Sequence, residues 1–424
     1  MTPPPPPDFR DPAFLRRHVL ETMAFYEGRC VDPSGGFYQF FKDDGSVYDA
    51  RTRHLVSSTR YVFTQAMGWR TFGAAQPQWQ ASTRHALAFV QQAHAQPNGG
   101  YAWMLDWHAG RATVTDATNH CYGLAFVLLA HAHALMAGVA EAATGLEACW
   151  QLMERHFWQP AAGLHADEAD ADWQLAPYRG QNANMHACEA MMAAFRATAD
   201  RKYLARAVTL AHAVTGTLAS RSAALPALAP ACAGLVWEHF HPDWSVDPDY
   251  NRHDRTNIFR PWGFQVGHQT EWAKLLLQLD RLAPDPAWLP RAQRLFDAAM
   301  ALGWDGAHGG LVYGVAPDGT VCDGDKYHWV QAESLAAAAL LARALERRGD
   351  GASLAQAAAY WGWYDRLWGH AWAHFVDHEY GAWYRILGAD NRKLTDEKSP
   401  AGKVDYHDMG ACYDVLAALA DRDR

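Results

Sequence analysis

Long Ala- and Leu-rich runs dominate the chain, and their apolar residues recur with the spacing of a helix face. The clearest are "RHALAFVQQAHA" (84–95), "CYGLAFVLLAHAHALMAG" (121–138), "RKYLARAVTLAHAVTGTL" (201–218) and "AESLAAAALLARALERR" (332–348). Ala and Leu are strong helix formers, and strand-like alternation is confined to residues beside short glycine turns. Those turns repeat as "SGGFYQF", "NGGYAWM", "AAGLHAD", "CAGLVWE", "HGGLVYG" and "EYGAWYR". Their glycines, Gly36, Gly100, Gly163, Gly234, Gly310 and Gly381, are separated by 64, 63, 71, 76 and 71 residues. The spacing predicts six units, each with room for two helices and a short hairpin.

Six helix pairs suit an all-α (α/α)6 barrel with short β-hairpin loops. An open solenoid would leave polar-capped ends. Closure explains why both helices of each pair look largely apolar. The proline run in "MTPPPPPDFR" reads as an extended tail over residues 1–10, and residues 11–424 as a single barrel domain.

Polar residues interrupt the helical pattern at one recurring place. A histidine stands near the expected start of one helix in every unit: His54, His120, His186, His268, His328 and His407. In a closed barrel the inner helices bring these starts to one mouth, which predicts a common pocket. "GFQVGHQTEWAKLLL" (263–277) places His268, Glu271, Trp272 and Leu275 on one helical face, which Leu279 continues. An ionisable pair on a burying stripe needs a partner, and the other members of the ring are expected to supply it. "RGQNANMHACEAMMAAF" repeats the arrangement with His186 and Glu189, one turn after Asn182.

Composition narrows the function. The 424 residues are half apolar and one fifth charged, with 37 basic against 46 acidic residues and a net charge of −9. There is no Lys/Arg-rich block, which argues against a nucleic-acid or anionic-membrane partner. No apolar run reaches the ~18 residues of a membrane span. The seven cysteines are scattered and never in a CxxC pair, and the N-terminus lacks the features of a secretory signal. Both point to a cytoplasmic protein with free thiols. The 19 Trp and 17 Tyr, many beside Gly, Asp or His, suit a sugar, which presents C–H faces and hydroxyls together.

Two His-x-x-Glu pairs raise the question of a metal. The Glu-x-x-His set of di-iron bundles and the HExxH of zincins are both missing, so no metal ligand set is assigned. Histidine gives and takes protons near neutral pH, and two facing imidazoles suffice to move a proton between neighbouring carbons. Arg60 stands among Val56, Tyr61 and Phe63. A buried guanidinium there needs an oxygen ligand or an internal carboxylate. The long polar, aromatic segment 238–265 precedes His268 and reads as a cover over the site. Trp329 in "HWVQAESL" is a candidate sugar platform, with Glu333 one turn on.

"GHQTEW" (267–272), "NANMHACEA" (182–190), "HWVQAE" (328–333) and "YHDMGACYD" (406–414) resemble the N-acylglucosamine 2-epimerase family, over nearly the whole chain after the tail. Residues 32–63 look most like its aldose–ketose isomerase branch, which includes mannose isomerases. The resemblance implies an (α/α)6 barrel and a cofactor-independent isomerase interconverting D-mannose and D-fructose through a cis-enediol. It implies His268 and His407 as acid/base catalysts, His186 and Glu271 as supporting residues, and Arg60 as the stabiliser of the enediolate oxygen. Asn182, Tyr122 and Trp329 match sugar-contacting positions. The alternatives within the family are a sugar 2-epimerase of cellobiose or N-acylglucosamine type and a sulfoquinovose isomerase. A sugar- or protein-binding member is the alternative outside catalysis. One position departs: many members carry Trp four residues before the arginine, where this chain has Val56, which suggests a pocket fitted to a free monosaccharide. No Gly-rich phosphate loop is present, so the ATP dependence of the epimerase members is not expected here. The sequence leaves the oligomeric state open.

Overall fold

The computed structural model describes residues 5–254, 257 and 259–420. Among them twelve long helices alternate between an outer and an inner layer. The odd-numbered, outer helices are α1 (Pro12–Tyr26), α3 (Gln78–Phe89), α5 (Ala142–His156), α7 (Arg201–His212), α9 (Trp288–Gly303) and α11 (Gly351–His374). The even-numbered, inner helices are α2 (Leu55–Phe72), α4 (Cys121–Met136), α6 (Asn182–Thr198), α8 (Val266–Asp280), α10 (His328–Glu346) and α12 (Tyr406–Ala420). Each inner helix contacts the next, and α12 contacts α2, so the ring closes as an (α/α)6 barrel. Five pairs are consecutive in sequence. The sixth joins the two ends of the chain, with α1 packed against α12.

All four helical runs fall on helices, and burial separates the layers. Outer helices bury one face, as in α7, where Tyr203, Leu204, Ala207, Leu210 and Ala211 are covered. Inner helices are covered nearly all round: in α8 every residue from Val266 to Leu277 is buried. The stripe holding His268 and Glu271 is therefore one part of a helix with no solvent face. A π-helical turn extends α3 through His94 and another extends α7 through Leu218. None of the described helices is long and apolar enough to cross a membrane.

The glycine turns lie where an outer helix hands over to the next inner one, in small antiparallel hairpins at the mouth. One short sheet there crosses the seam, pairing Phe40–Lys42 with Glu397–Ser399. Phe9, at the end of the proline-rich stretch, stacks on Trp368 at 5.4 Å, and Arg10 pairs with Asp365.

Each of these turns except the first is hooked to the start of its inner helix by an amide or carboxylate. Gln331 accepts from the Leu311 N–H and donates to its C=O, both at 2.9 Å. Gln269 does the same to Val236, and Asn184 to His165. Asn119 accepts from the Tyr101 N–H and Asp405 from that of Trp383. Gly310 turns the backbone at φ +80° beside His370, whereas Gly100 is required by contact: a Cβ there would lie 2.0 Å from the Asn119 Oδ1. Gln331→Leu should destabilise the fold by about 2–4 kcal/mol in a denaturant melt, since two buried backbone groups lose their partners at about 1–3 kcal/mol each. A change under about 0.5 kcal/mol would show that the hook is dispensable.

Candidate active site

The inner helices present their first turns to one mouth, and the sequence-predicted residues meet there. Arg60 lies in the second turn of α2, Tyr122 at the start of α4, and Asn182 and His186 on α6. His268 and Glu271 come from α8, Trp329 from α10 and His407 from α12. All eight line one open cavity with about 760 Å³ of empty space. Val56 is 1 % exposed and does not form part of its wall.

The expectation that all six ring histidines share this cavity is corrected. His186, His268, His328 and His407 line it, and His54 and His120 do not. His54 is the N-cap of α2: its Nδ1 accepts from the Val56 N–H at 3.1 Å, and burial pushes the imidazole down to about 3. His120 faces an adjoining hollow and pairs with Glu168 at 3.3 Å. A histidine at a helix start can be used up as a cap, which the repeat spacing does not reveal.

Carboxylates hold the imidazoles of the cavity. His407 Nδ1 lies 2.6 Å from Glu333 Oε1, and His268 Nδ1 lies 2.9 Å from Glu238 Oε2. His328 meets Asp408 at 2.8 Å and His186 meets Glu189 at 3.1 Å. An ionised carboxylate only accepts, so each Nδ1 is the donor and each Nε2 is left for other work. Behind His268 the arrangement is locked further: Trp272 Nε1–H donates to Gln181 Oε1, which turns the Gln181 amide to donate to Glu238 at 2.9 Å.

Arg60 has no carboxylate partner among the described residues. One guanidinium nitrogen donates to the Gly402 carbonyl, and the other lies 3.2 Å from His407 Nε2 and 3.5 Å from the Tyr122 hydroxyl. Its Cζ lies 4.5 Å from the ring centroids of both Phe126 and Tyr406, two rings that pack edge to face against each other. Because a guanidinium can only donate, His407 Nε2 is the acceptor and the ring is the neutral Nδ1–H tautomer. Burial and Arg60 both hold the His407 imidazole well below its ordinary value. Trp329 stands beside both histidines, 5.1 Å from His268 and 5.8 Å from His407 between ring centroids.

Glu271 does not orient either of the predicted acid/base histidines. Both its carboxylate oxygens are buried without a hydrogen-bond partner, and its nearest imidazole is His186 at 3.9 Å. Burial and the neighbouring Glu333 push its carboxyl well above the usual range, which favours the protonated form, able to donate to a substrate oxygen.

Glu238 and Lys274 escaped the sequence reading. Glu238 stands four residues after a repeat glycine, where the preceding unit has Asp167, and that coincidence was an available signal. Lys274 is the single basic residue of the apolar run of α8, and its ammonium lies 2.5 Å from Glu333 Oε2. Tyr313, Tyr327, Arg385 and Pro400–Lys403 complete the wall, and no periodicity marks them. The cover expected over 238–265 contributes Phe259, while residues 255, 256 and 258 of that stretch lie outside the described residues.

Two trios bring donor atoms within 4.8 Å of one another: His186, Glu189 and Glu271, and Glu271, Glu333 and His407. In each, the imidazole Nδ1 is already bonded to a carboxylate of the trio, and Lys274 places a cation against the second. A metal ion bound there would have to displace bonds already made.

Comparison with known proteins follows the same lines. The sequence profile of the N-acylglucosamine 2-epimerase (GlcNAc 2-epimerase) family matches residues 35–411. A D-mannose isomerase of Marinomonas mediterranea is 50 % identical over 414 residues, spanning 97 % of this chain and 99 % of that protein. A crystal structure of D-mannose isomerase superposes with a TM-score of 0.89 at 50 % identity, over 97 % of this chain and all of that one. The cellobiose 2-epimerase of Bacillus thermoamylovorans, 18 % identical, shares the fold with a TM-score of 0.78 over 96 % and 99 % of the two chains.

The cavity's electrostatics predict that His407 stays neutral as the pH falls through 6.5, because a lowered imidazole value keeps the base form at pH values where an ordinary histidine is protonated. Nitrogen NMR at pH 6 should show it as the Nδ1–H tautomer. An imidazolium signal for His407 at that pH would contradict the bonding described.

Proposed function

The chain belongs to the N-acylglucosamine 2-epimerase family, and on that premise we propose that it is an isomerase interconverting D-mannose and D-fructose by histidine acid/base chemistry, without a cofactor. The observation that carries this reading is the pair His268 and His407, both in contact with Trp329 in one cavity. Each has its Nδ1 on a buried carboxylate, and Arg60 holds the Nε2 of His407. A monosaccharide in the cavity would meet two proton carriers and one fixed cation.

In the open-chain aldose, His407 Nε2 removes the proton from C2, and the electron pair forms the C1–C2 double bond of a cis-enediolate. Arg60, released from His407 as that nitrogen takes the proton, turns its N–H groups to the oxygen that gains charge. His268 moves a proton between O1 and O2. The imidazolium of His407 then returns its proton to C1, giving the ketose. Proton transfer by positioned groups supplies about 10²–10⁴-fold, so Arg60 and a protonated Glu271 must stabilise the enediolate electrostatically to supply much of the rest. His186, Asn182 and Tyr122 are assigned to substrate hydroxyls. Seven cysteines without disulfides accord with a cytoplasmic enzyme.

Incubation with mannose in D2O, followed by NMR, tests the reading directly. Fructose is expected, with deuterium at C1 to the extent that the His407 imidazolium exchanges with solvent before it returns its proton. Glucose formed by return of the proton to the other face of C2, with no ketose, would make the protein an epimerase instead. In a panel with lyxose, glucose, cellobiose, N-acetylglucosamine and sulfoquinovose, mannose should turn over best, and best turnover on sulfoquinovose would keep the chemistry and change the substrate.

Single substitutions separate the roles. His268→Ala and His407→Ala should each lower kcat by about 10² or more while the helical circular dichroism is kept. Arg60→Lys should lower kcat more than it raises KM, because an ammonium cannot reproduce the fork that meets a charge developed only in the transition state. A rise in KM alone would assign Arg60 to binding.

A further inference from the structure

Beneath the cavity lies a charged cluster whose lysine the mechanism above does not use. Lys274 sits on α8, three residues after Glu271, with Nζ 2.5 Å from Glu333 Oε2 and 4.0 Å from Asp414 Oδ2. The other oxygen of Glu333 is the one that holds His407 Nδ1 at 2.6 Å. Lys274, Glu333 and His407 thus form a line across three inner helices, at 5 %, 2 % and 6 % exposure.

The floor would otherwise be strongly acidic. Glu189 of α6, Glu271 of α8 and Glu333 of α10 face one another there, and α12 adds Asp414 and Asp408. The groups opposing them are His186 and Arg196 on α6, Arg60 on α2, Lys403 4.0 Å from Asp408, and Lys274 itself. His186 is bonded to Glu189, and Arg60 lies on the far side of His407. Lys274 is therefore the cation in contact with Glu333. Burial alone would lower the lysine, but Glu333, Glu271 and Glu189 raise it above its ordinary value, so it is charged.

A buried carboxylate among like charges takes up a proton. Protonated Glu333 could donate to Nδ1 of His407, and the imidazole would then carry its own proton on Nε2, where it can take none from carbon. We propose that Lys274 is a positioning residue: its ammonium, set beneath the site, keeps Glu333 ionised and so, together with the Arg60 N–H on the other nitrogen, holds His407 as the Nδ1–H tautomer with an unprotonated Nε2. The inference rests on the reading of His407 as the carbon base.

The geometry also supplies the means of testing it. Lys274 and Glu333 form part of the wall of a second cavity, at the opposite end of the barrel, with about 1330 Å³ of empty space. Arg196, Gln278, Tyr413 and Asp414 border the same space. A small amine entering from that side can reach the place of the lysine ammonium without crossing the sugar pocket.

Lys274→Ala removes the fragment that n-propylammonium replaces. In the mannose assay this variant should lose about 10–100-fold in kcat, with KM little changed, by analogy with groups that act through a catalytic histidine. Millimolar n-propylammonium should restore at least tenfold, and n-propanol, of the same shape and no charge, should not. The acid limb of the rate should move to higher pH in the variant: without the cation Glu333 holds its proton to higher pH, so the competent ionised form is lost earlier as pH falls. If Lys274→Ala fails to fold, Lys274→Gln is read by that limb, which must still move up. Wild-type kinetics in the variant, equal rescue by amine and alcohol, or an unmoved limb would each overturn the inference. Wild-type protein inert toward every sugar would instead overturn the isomerase reading on which it rests.

Discussion

An inner ring of helices closed on itself has no solvent face, so every polar group on it must be answered by the ring or by the hairpins above it. That constraint governs both the architecture and the candidate chemistry. Burial of an unpaired amide or charge is costly, and the pairings that avoid the cost also fix positions. Gln269 and Gln331 spend both ends of their amides on the backbone of a hairpin, which ties each mouth loop to a helix start. Glu238 and Glu333 spend an oxygen each on an imidazole, which sets the tautomer and direction of His268 and His407.

The same constraint explains the groups left unanswered. Glu271 has both oxygens buried and unbonded on the cavity floor, and Asn182 has a free side-chain oxygen. On side chains that line the cavity, such orphans mark places shaped for something that arrives from outside. Arg60 belongs to the same class: held against two aromatic rings and by a backbone carbonyl, it keeps one side of its fork for the cavity.

Repetition made much of this legible from sequence. Glycine turns about 70 residues apart gave the number of units, and a histidine recurring with them located the mouth. His186, His268 and His407 and the neighbouring Arg60, Asn182, Tyr122, Glu271 and Trp329 all reach one cavity. What stayed hidden was pairing between units. The acid that holds His268 lies 30 residues upstream in a loop, and the acid that holds His407 lies 74 residues upstream on another helix. Such contacts follow from how the ring closes and not from any local spacing. Spacing alone does not tell such pairs apart: His186 and Glu189 share a hydrogen bond at i, i+3, while His268 and Glu271 share only a helix face.

The pairing of the first outer helix with the last inner one has a consequence for synthesis. As the chain leaves the ribosome, α1 emerges first with Phe14, Leu15, Val19 and Met23 seeking cover, and the helix that covers them emerges last. Five sixths of the ring can assemble while this apolar stripe waits, as can the strand Phe40–Lys42 that must meet Glu397–Ser399 across the seam. Exposed surface of this kind is what chaperones hold. His407 arrives on the same final helix, so the step that buries the waiting stripe also completes the set of imidazoles. A nascent chain stalled before it would carry most of the pocket lining without His407.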